Sequence, residues 1–415
     1  MPLPIKTLPI LEQWDCASCG NCCRGSVIPL SDDDLKRLQE QRWETHADFE
    51  AVQTVVRSGW FRKRTQLAQR SDGSCVFLTA ENRCRIHAEH GADAKPLVCQ
   101  MYPLQLVPRE KRAVLTLRRS CPAAAADEGS QLQEHLGTVR RLAIQGGLLD
   151  KAIRAPSITR RYRGSWSEAL IVARAIERLM TDERFPLVRR LTHGVRFCAL
   201  LEQCKLKRFE ESRLAELMEI IEDGCRREVG ELFQERQAPR GPIATLFRQT
   251  AAEYLRLHSG YRVTDSWRER WRLARAAVSI ARGRGAAPAI HALLPEVTFE
   301  ALEQPLGHLS PEIQQPFVRL YEANACSLQY AIAARPAWSL VESFRAFALA
   351  YPVALWILRW CSHARSPTRE EAIEMVTIMD RGQGHQPLAG PQHRRRVAMI
   401  ARSGELERMI VWYSR

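Results

Sequence analysis

No Gly-x-Gly-x2-Gly follows a strand-like run in this sequence, and no Walker A loop occurs. The first absence argues against an ordinary Rossmann-type methyltransferase or dehydrogenase, the second against a P-loop nucleotide hydrolase. The Cys-x3-Cys-x2-Cys of the usual radical S-adenosylmethionine enzymes is missing too. Gly146-Gly147 stands at a helix-to-loop transition and makes no cofactor loop, and no nucleophile–base pair can be assigned. Internal repeats and low-complexity tracts are absent. So is a run of roughly 20 apolar residues, the length a spanning helix needs. The best candidate, Ala346 to Trp360, is short, contains Pro352 and carries Arg359 near its end, so it reads as a buried helix. Met1 to Leu11 is interrupted by Pro2, Pro4 and Pro9 and has no continuous apolar core. The expectation is a cytoplasmic chain with no membrane partner.

Acidic charge is scarce in the later part of the chain. Residues 1–150 hold 20 Lys and Arg against 18 Asp and Glu, which leaves 41 against 29 for the rest, and the net charge is +14. A basic surface favours acidic partners such as nucleic acid or an anionic protein, although a solvated Arg-rich helical surface gives the same count. With 26% charged and 45% hydrophobic residues over 415 positions, the composition is that of a soluble globular protein of two or three domains.

Cysteine is sparse after residue 121. Cys198, Cys204, Cys225, Cys326 and Cys361 sit singly in helical stretches and read as core packing. The other eight are concentrated. Cys16, Cys19, Cys22 and Cys23 fall within eight residues, and Cys75, Cys84, Cys99 and Cys121 follow. In a reducing cytosol such a group argues for metal ligation rather than disulfides. Cys-x2-Cys spacing lets two thiolates reach one ion, with Gly20 free to fold the loop back. Eight thiolates make two tetrahedral zinc sites, or one iron–sulfur cluster and a second site. The run Cys16-x2-Cys19-x2-Cys22 and the distant Cys121-Pro122 share the ligand spacing of a bacterial ferredoxin, which points to a 4Fe–4S cluster. Adjacent Cys22 and Cys23 fit one tetrahedral ion poorly and indicate a second centre. His87 and His90 are substitute ligands by type, with surface or packing roles the plainer reading.

Along the chain, Val27 to Leu30 is extended, and Ser31-Asp32-Asp33-Asp34 caps a helix. Residues 57–70 carry Arg57, Arg62, Lys63, Arg64 and Arg70 with no acid, as an exposed connection or hairpin that steers an acidic partner at most. Cys75 to Leu78 is strand-like, and the turn before Cys84 forms a hairpin-like loop bringing Cys75 and Cys84 to one side. Ala113 to Leu117 is strand-like. Helical periodicity holds from about residue 130, with stripes Val172, Ala173, Ile176, Leu179, Met180 and Leu214, Leu217, Met218, Ile221. Residues 237–242 break it. Over 265–281, Trp267, Trp271, Ala274, Val278 and Ala281 share one side and Arg268, Arg272, Arg275 and Arg282 another. This segment is a nucleic-acid candidate by its arginines and tryptophans, with an amphipathic core helix as the plainer reading. Residues 283–306 read as loop, Pro311–Ala334 and Trp338–Cys361 as helices. Ser366-Pro367 opens a last clear helix with Pro at its first position, and 381–393 read as loop.

The fold class is therefore mainly α: a small irregular cysteine-rich metal-binding module over 1–129, then an all-helical domain over 130–415 with a subdomain break near 237–242. The helices have periodicity enough to bury a core and shape a pocket beside the metal module.

The order Cys-x2-Cys-x2-Cys-Cys, Cys75-Val76-Phe77-Leu78, Cys84-Arg85-Ile86-His87 and Lys95-Pro-x2-Cys99-x2-Tyr102-Pro103 resembles the CxxCxxCC cysteine-cluster family, a zinc- or iron-chelating domain that includes the flagellin lysine N-methylases. Ser120-Cys121-Pro122 resembles the Ser-Cys-Pro of the methylase branch. The resemblance covers roughly residues 14–125. It implies metal at Cys16, Cys19, Cys22, Cys23, Cys75, Cys84, Cys99 and Cys121. For the methylase branch it also implies S-adenosylmethionine, an iron–sulfur centre and a flagellin-like protein substrate, with no catalytic residue identified. Leu104 stands where the methylases tend to have Arg. The alternative is a non-catalytic metal-chelating protein whose basic helical domain binds protein or nucleic acid. Oligomeric state is not encoded in these patterns.

Overall fold

Ser31 accepts a hydrogen bond from the backbone N–H of Asp34, and the Asp34 carboxylate returns one from the Ser31 N–H at 3.0 Å, closing a capping box on the first helix. In the computed structural model this begins a small, loop-rich region. It comprises β1 (Ile5–Lys6), α1 (Asp32–Glu40), β2 (Val55–Ser58), β3 (Arg64–Leu67), α2 (Arg85–His90), α3 (Leu97–Met101), β4 (Leu104–Arg109), β5 (Arg112–Leu117), α4 (Pro122–Ala126) and α5 (Leu136–Gln145). The structure describes residues 3–50, 52–58, 64–150, 153–228, 233, 238–258, 267–288, 294–363, 365–383 and 386–415.

β4 and β5 form an antiparallel hairpin running from the pair Leu104–Leu117 to the pair Arg109–Arg112, and β1 adds parallel to β5. Their apolar face packs with Leu132, Val139, Leu142 and Ala143, so α5 lies against this sheet. The expected basic hairpin forms as β2 and β3, paired from Val55–Leu67 to Ser58–Arg64. Its tip, with Arg62 and Lys63, lies outside the described residues. Val27 to Leu30 is extended as expected, with Leu30 N–H donating to Thr65 at 3.0 Å. Trp43, Phe49 and Phe77 meet edge-on or tilted at centroid distances of 4.9–5.3 Å and seed a second small core.

The rest is helical: α6 (Trp166–Met180), α7 (Leu187–Gln203), α8 (Glu211–Glu228), α9 (Gly241–His258), α10 (Trp267–Arg282), α11 (Phe299–Leu302), α12 (Pro311–Ser327), α13 (Gln329–Ile332), α14 (Leu340–Ser362), α15 (Arg369–Gly382), α16 (Gln386–Ala389), α17 (Pro391–Arg402) and α18 (Glu405–Tyr413). α14 is the axis. It is apolar on every side, and all but three of its 23 residues are buried, as a helix without a polar face requires. By length and composition it is apolar enough to cross a membrane, but here α7, α9, α15, α17 and α18 surround it. α7 crosses so closely that a Cβ on Gly194 would stand 2.5 Å from Phe344 Cζ. The stripes read on α6 and α8 face this core, with Leu217 at its margin.

Six expectations change. The 283–306 loop contains α11, capped by Thr298, and the Pro311–Ala334 helix breaks into α12 and α13 at Leu328, whose backbone is left-handed at φ +61°. Thr368, not Ser366, caps α15, through a box with Glu371, because a hydroxyl two residues further on reaches the third N–H. The 381–393 loop contains α16 and the start of α17, and α18 follows; Gly and His composition hid an apolar stripe through Val397 and Ile400. Cys75 to Leu78 makes isolated bridges (Gln69–Cys75, Leu78–Cys84) rather than a strand. On α10 the tryptophan side faces outward: Trp267 is 67% and Trp271 63% exposed, while Ala276 and Ile280 pack inward. Residues 261–266 of that segment and residue 237 of the 237–242 break lie outside the described residues. Cys198, Cys225 and Cys326 are buried as core side chains.

Glu12 is 2% exposed between strand and loop. One oxygen accepts from Thr116 and from Arg119, each at 3.1 Å, and the other has no partner. Burial outweighs Arg119 and raises its pKa from 4.5 to about 7. Between those values the folded chain holds a proton that the unfolded chain has released, so stability falls as pH rises through the window. Glu12→Gln is expected to remove that share of the slope, up to about 3 kcal/mol, in urea unfolding followed against pH.

Candidate metal centre

The cysteine loop is held from both sides. Gly20 has φ near +70°, and a Cβ there would meet Asn82 Cβ at 3.0 Å and Leu78 Cδ1 at 3.1 Å, so glycine is what lets the loop seat against the 78–82 turn. Arg24 Nη2 donates to Asn82 Oδ1 at 2.7 Å. Next to it, Cys23 O accepts the Cys75 N–H at 2.8 Å, and Gly25 N–H donates to Gly73 O at 3.0 Å. The loop and the 73–75 segment are thereby zipped together.

These contacts gather five thiols. Cys22 and Cys23 have their sulfurs 3.9 Å apart. Cys75 lies within charge range of Cys22 and Cys84, and Cys99 within range of Cys75, Cys84 and Cys22. Cys75 and Cys84 do come to one side, because the Leu78–Cys84 bridge folds the loop and Cys84 caps α2. Cys99 arrives on α3, whose first N–H, that of Leu97, donates to the Asp34 carboxylate at 2.9 Å. Both adjacent cysteines border this one group. Cys19 lies near Cys121, which stands at the N-cap position of α4. Cys16 is exposed on the same loop. His87 is exposed, and His90 packs edge-on against Trp43 at 5.3 Å.

The electrostatics of the group are those of anions crowded together. Burial, then neighbouring thiolates, push the Cys99 thiol well up and bring Cys75 to about 11. Within the adjacent pair, the hydrogen bond from Cys23 lowers Cys22 to about 6, helped by Lys95 and Arg381, while Cys23 keeps its proton. Cys121 is raised by burial, against the Ala123 and Ala124 N–H groups and the Trp14 indole that face its sulfur. Five neighbouring thiols, of which Cys75 and Cys99 are held protonated mainly by burial and further by nearby thiolates, form the donor set that a thiophilic cation satisfies. Among the described residues, no set of three or more His, Cys, Asp and Glu side chains is drawn tightly enough to hold an ion as it stands.

A second frame fixes the Cys121 side. Asp380, on α15 and 1% exposed, accepts from Arg118 Nε at 2.8 Å and from the Ser120 N–H at 2.9 Å. Ser120 O accepts from Asn21 Nδ2 at 3.3 Å, and Ser120 Oγ from Tyr102 OH at 3.2 Å. Arg119, fully buried, pairs with Glu12 and donates to Ala124 O at 2.7 Å. Sequence reading missed Asp380 and Arg381, since nothing local marks a carboxylate 260 residues away as the partner of an arginine beside Cys121.

Residues 15–122 match the family described as CxxCxxCC, "Putative zinc- or iron-chelating domain". An uncharacterised protein of the archaeon Methanocaldococcus jannaschii is 27% identical over 111 residues, 26% of this chain and 36% of its own length. The chain thus spans about a third of that relative. No solved structure matches the chain.

Asp380→Ala is expected to cost about 2–3 kcal/mol, because it removes the countercharge of the partly exposed Arg118 and leaves the buried Ser120 N–H without its acceptor. Chemical denaturation measures the loss, and near-ultraviolet circular dichroism follows the Tyr102 and Trp14 environment around Cys121.

Proposed function

We propose that the N-terminal module binds zinc or iron through its clustered cysteines. Cys22, Cys23, Cys75, Cys84 and Cys99 supply one centre. Cys19 and Cys121, with Cys16 on the same loop, supply ligands to a second. The observation that carries this reading is the gathering of five free thiols from four separate segments, with burial and nearby thiolates opposing ionisation at Cys75 and Cys99. A bound ion supplies the positive charge that makes thiolates stable there, and draws the segments together as it binds. Lys95 and Arg381 moderate the remaining negative charge.

An iron–sulfur cluster and a plain zinc site need the same thiolate donors, and with Cys22 in one centre and Cys16 and Cys19 in the other the ferredoxin-like spacing does not choose between them. On the resemblance to the flagellin-modifying branch, we extend the reading to an S-adenosylmethionine-dependent protein lysine N-methylase. The match of residues 15–122 supports metal chelation and reaches no further. The non-catalytic alternative keeps the metal and uses the basic helical region for protein or nucleic-acid contacts.

Metal analysis with an absorption spectrum, on chain purified without oxygen, tests the reading. Iron with broad visible absorption is expected for the cluster, and zinc without colour for the structural site. Chain that stays metal-free after reconstitution with either overturns the proposal. Cys75→Ser with Cys99→Ser is expected to empty the first centre and leave metal at the second, while Cys19→Ser with Cys121→Ser does the converse. If iron is present, titration with S-adenosylmethionine is the next measurement, and no binding removes the methylase extension while leaving the metal.

A further inference from the structure

The β4–β5 hairpin has two ends. One carries Cys99 and Cys121, just before β4 and just after β5. The other, the Arg109–Arg112 turn, lies in a cleft between the sheet and α6 and α12. The cleft encloses about 580 Å³, and a neighbouring recess around the same turn about 330 Å³. These volumes suit a small molecule.

The lining is strongly cationic. Arg109, Arg112, Arg174 and Lys6 border both cavities, Arg178 the larger and Lys111 the smaller. Two carboxylates, Glu177 and Glu110, are the acids among the lining residues. Arg178 is already bound to Glu222 by Nε at 3.1 Å. Arg109 is the informative member. It is 8% exposed, and its guanidinium is held by the carbonyl oxygens of Cys326 and Ser327, at the C-terminal end of α12, with no carboxylate in hydrogen-bond contact. Burial disfavours its charge most, and the attraction of Glu177 outweighs the repulsion from Arg112. A buried arginine fixed by neutral acceptors is costly unless something anionic completes it. Arginine's planar fork of donors suits phosphate oxygens, and a cavity walled by low-dielectric protein strengthens the pairing.

We infer that this cleft binds a small molecule carrying two or more phosphate groups, clamped by Arg109, Arg112, Arg174 and Lys6. Nucleic acid is the weaker occupant, because the cations converge on a concave volume instead of tracking along a stripe, and a polynucleotide reads as a line of phosphates. The inference does not depend on metal at the cysteines.

Isothermal titration calorimetry on the full chain tests it, with fructose 1,6-bisphosphate and inorganic pyrophosphate as separate probes and metal content measured before and after. Saturable binding of at least one probe, one molecule per chain and weaker at high salt, is the expected result. Arg112→Glu with Arg174→Glu, both exposed, is expected to weaken it about tenfold or more, with the unfolding midpoint little changed. Arg268→Glu, on α10 outside the cleft, is expected to leave it unchanged. Arg109→Met probes the buried member, and the exposed pair keeps the test valid if that variant does not fold. The inference is overturned if neither probe binds, if binding is insensitive to the Arg112/Arg174 pair, or if heat appears only with metal loss. Binding of single-stranded RNA with no response to either small phosphate also overturns it.

Discussion

Asp380 takes the charge of Arg118 and the N–H of Ser120 with a single carboxylate oxygen at 2.8 and 2.9 Å. That one group joins the two parts of the molecule at the segment leading to Cys121. Asp380 is buried and Arg118 partly exposed, so the attraction is offset by the cost of drying the carboxylate, and the net gain is small. The consequence is geometric. Breaking either side strands a charge, so the Arg118–Cys121 segment has one position relative to α15. Since Ser120 also holds Asn21 and Tyr102, that position is passed to the cysteine loop and to the residue that follows α3. The thiols are arranged by hydrogen bonds among their neighbours before any ion is considered.

Such an arrangement opposes itself in one respect. Bringing Cys22, Cys23, Cys75, Cys84 and Cys99 together raises the free energy of each thiolate through the others. The scaffold compensates in part with Lys95 and Arg381, and in part by sharing one proton between Cys22 and Cys23. The module has two small cores, one of Trp43, Phe49 and Phe77 beside the thiols and one on the sheet face around Leu104, Leu115 and Leu117, and short elements. Cores that size yield few kcal/mol against loop entropy, so ion binding and order in this region are linked.

Much of this was readable in the residues. Thiol spacing, the Ser31 capping box and the turn residues around Cys75 and Cys84 are local signals, and local chemistry sets them. The buried character of α14 followed from an apolar run too short to span a membrane and interrupted by Pro352 and Arg359. What the residues did not disclose was set by distance or by packing. Asp380 reaches Ser120 across 260 positions, and no spacing rule links them. The outward face of Trp267 and Trp271 contradicts the usual burial of tryptophan, because the aliphatic side chains Ala276 and Ile280 supply the inward contact of α10 instead. α17 and α18 were hidden because His and Gly lower the apparent periodicity just ahead of Val397, Ile400 and Leu406. Which thiols come together likewise depends on which loops cross, and Cys-x2-Cys counting gives ligand candidates without giving partners.

The β4–β5 hairpin sets the relation between the thiol region and the basic cleft. Its two strands are paired over six residues each, from Leu104–Leu117 to Arg109–Arg112. At about 3.4 Å per residue this is a rod of about 17–20 Å. Cys99 and Cys121 lie beyond one end, and Arg109 and Arg112 at the other. An anion held at the turn is therefore too far away to coordinate an ion at the cysteines. The two ends are nonetheless mechanically continuous. Arg109 is tied to α12 through the Cys326 and Ser327 carbonyls, and Arg118 to α15 through Asp380, so the hairpin is anchored to the helical region at both ends. A paired ladder transmits displacement along its length better than loops do, since slipping it by one residue would turn every side chain to the opposite face. Any coupling between the cleft and the thiols therefore runs through movement of this hairpin as a unit against α12 and α15.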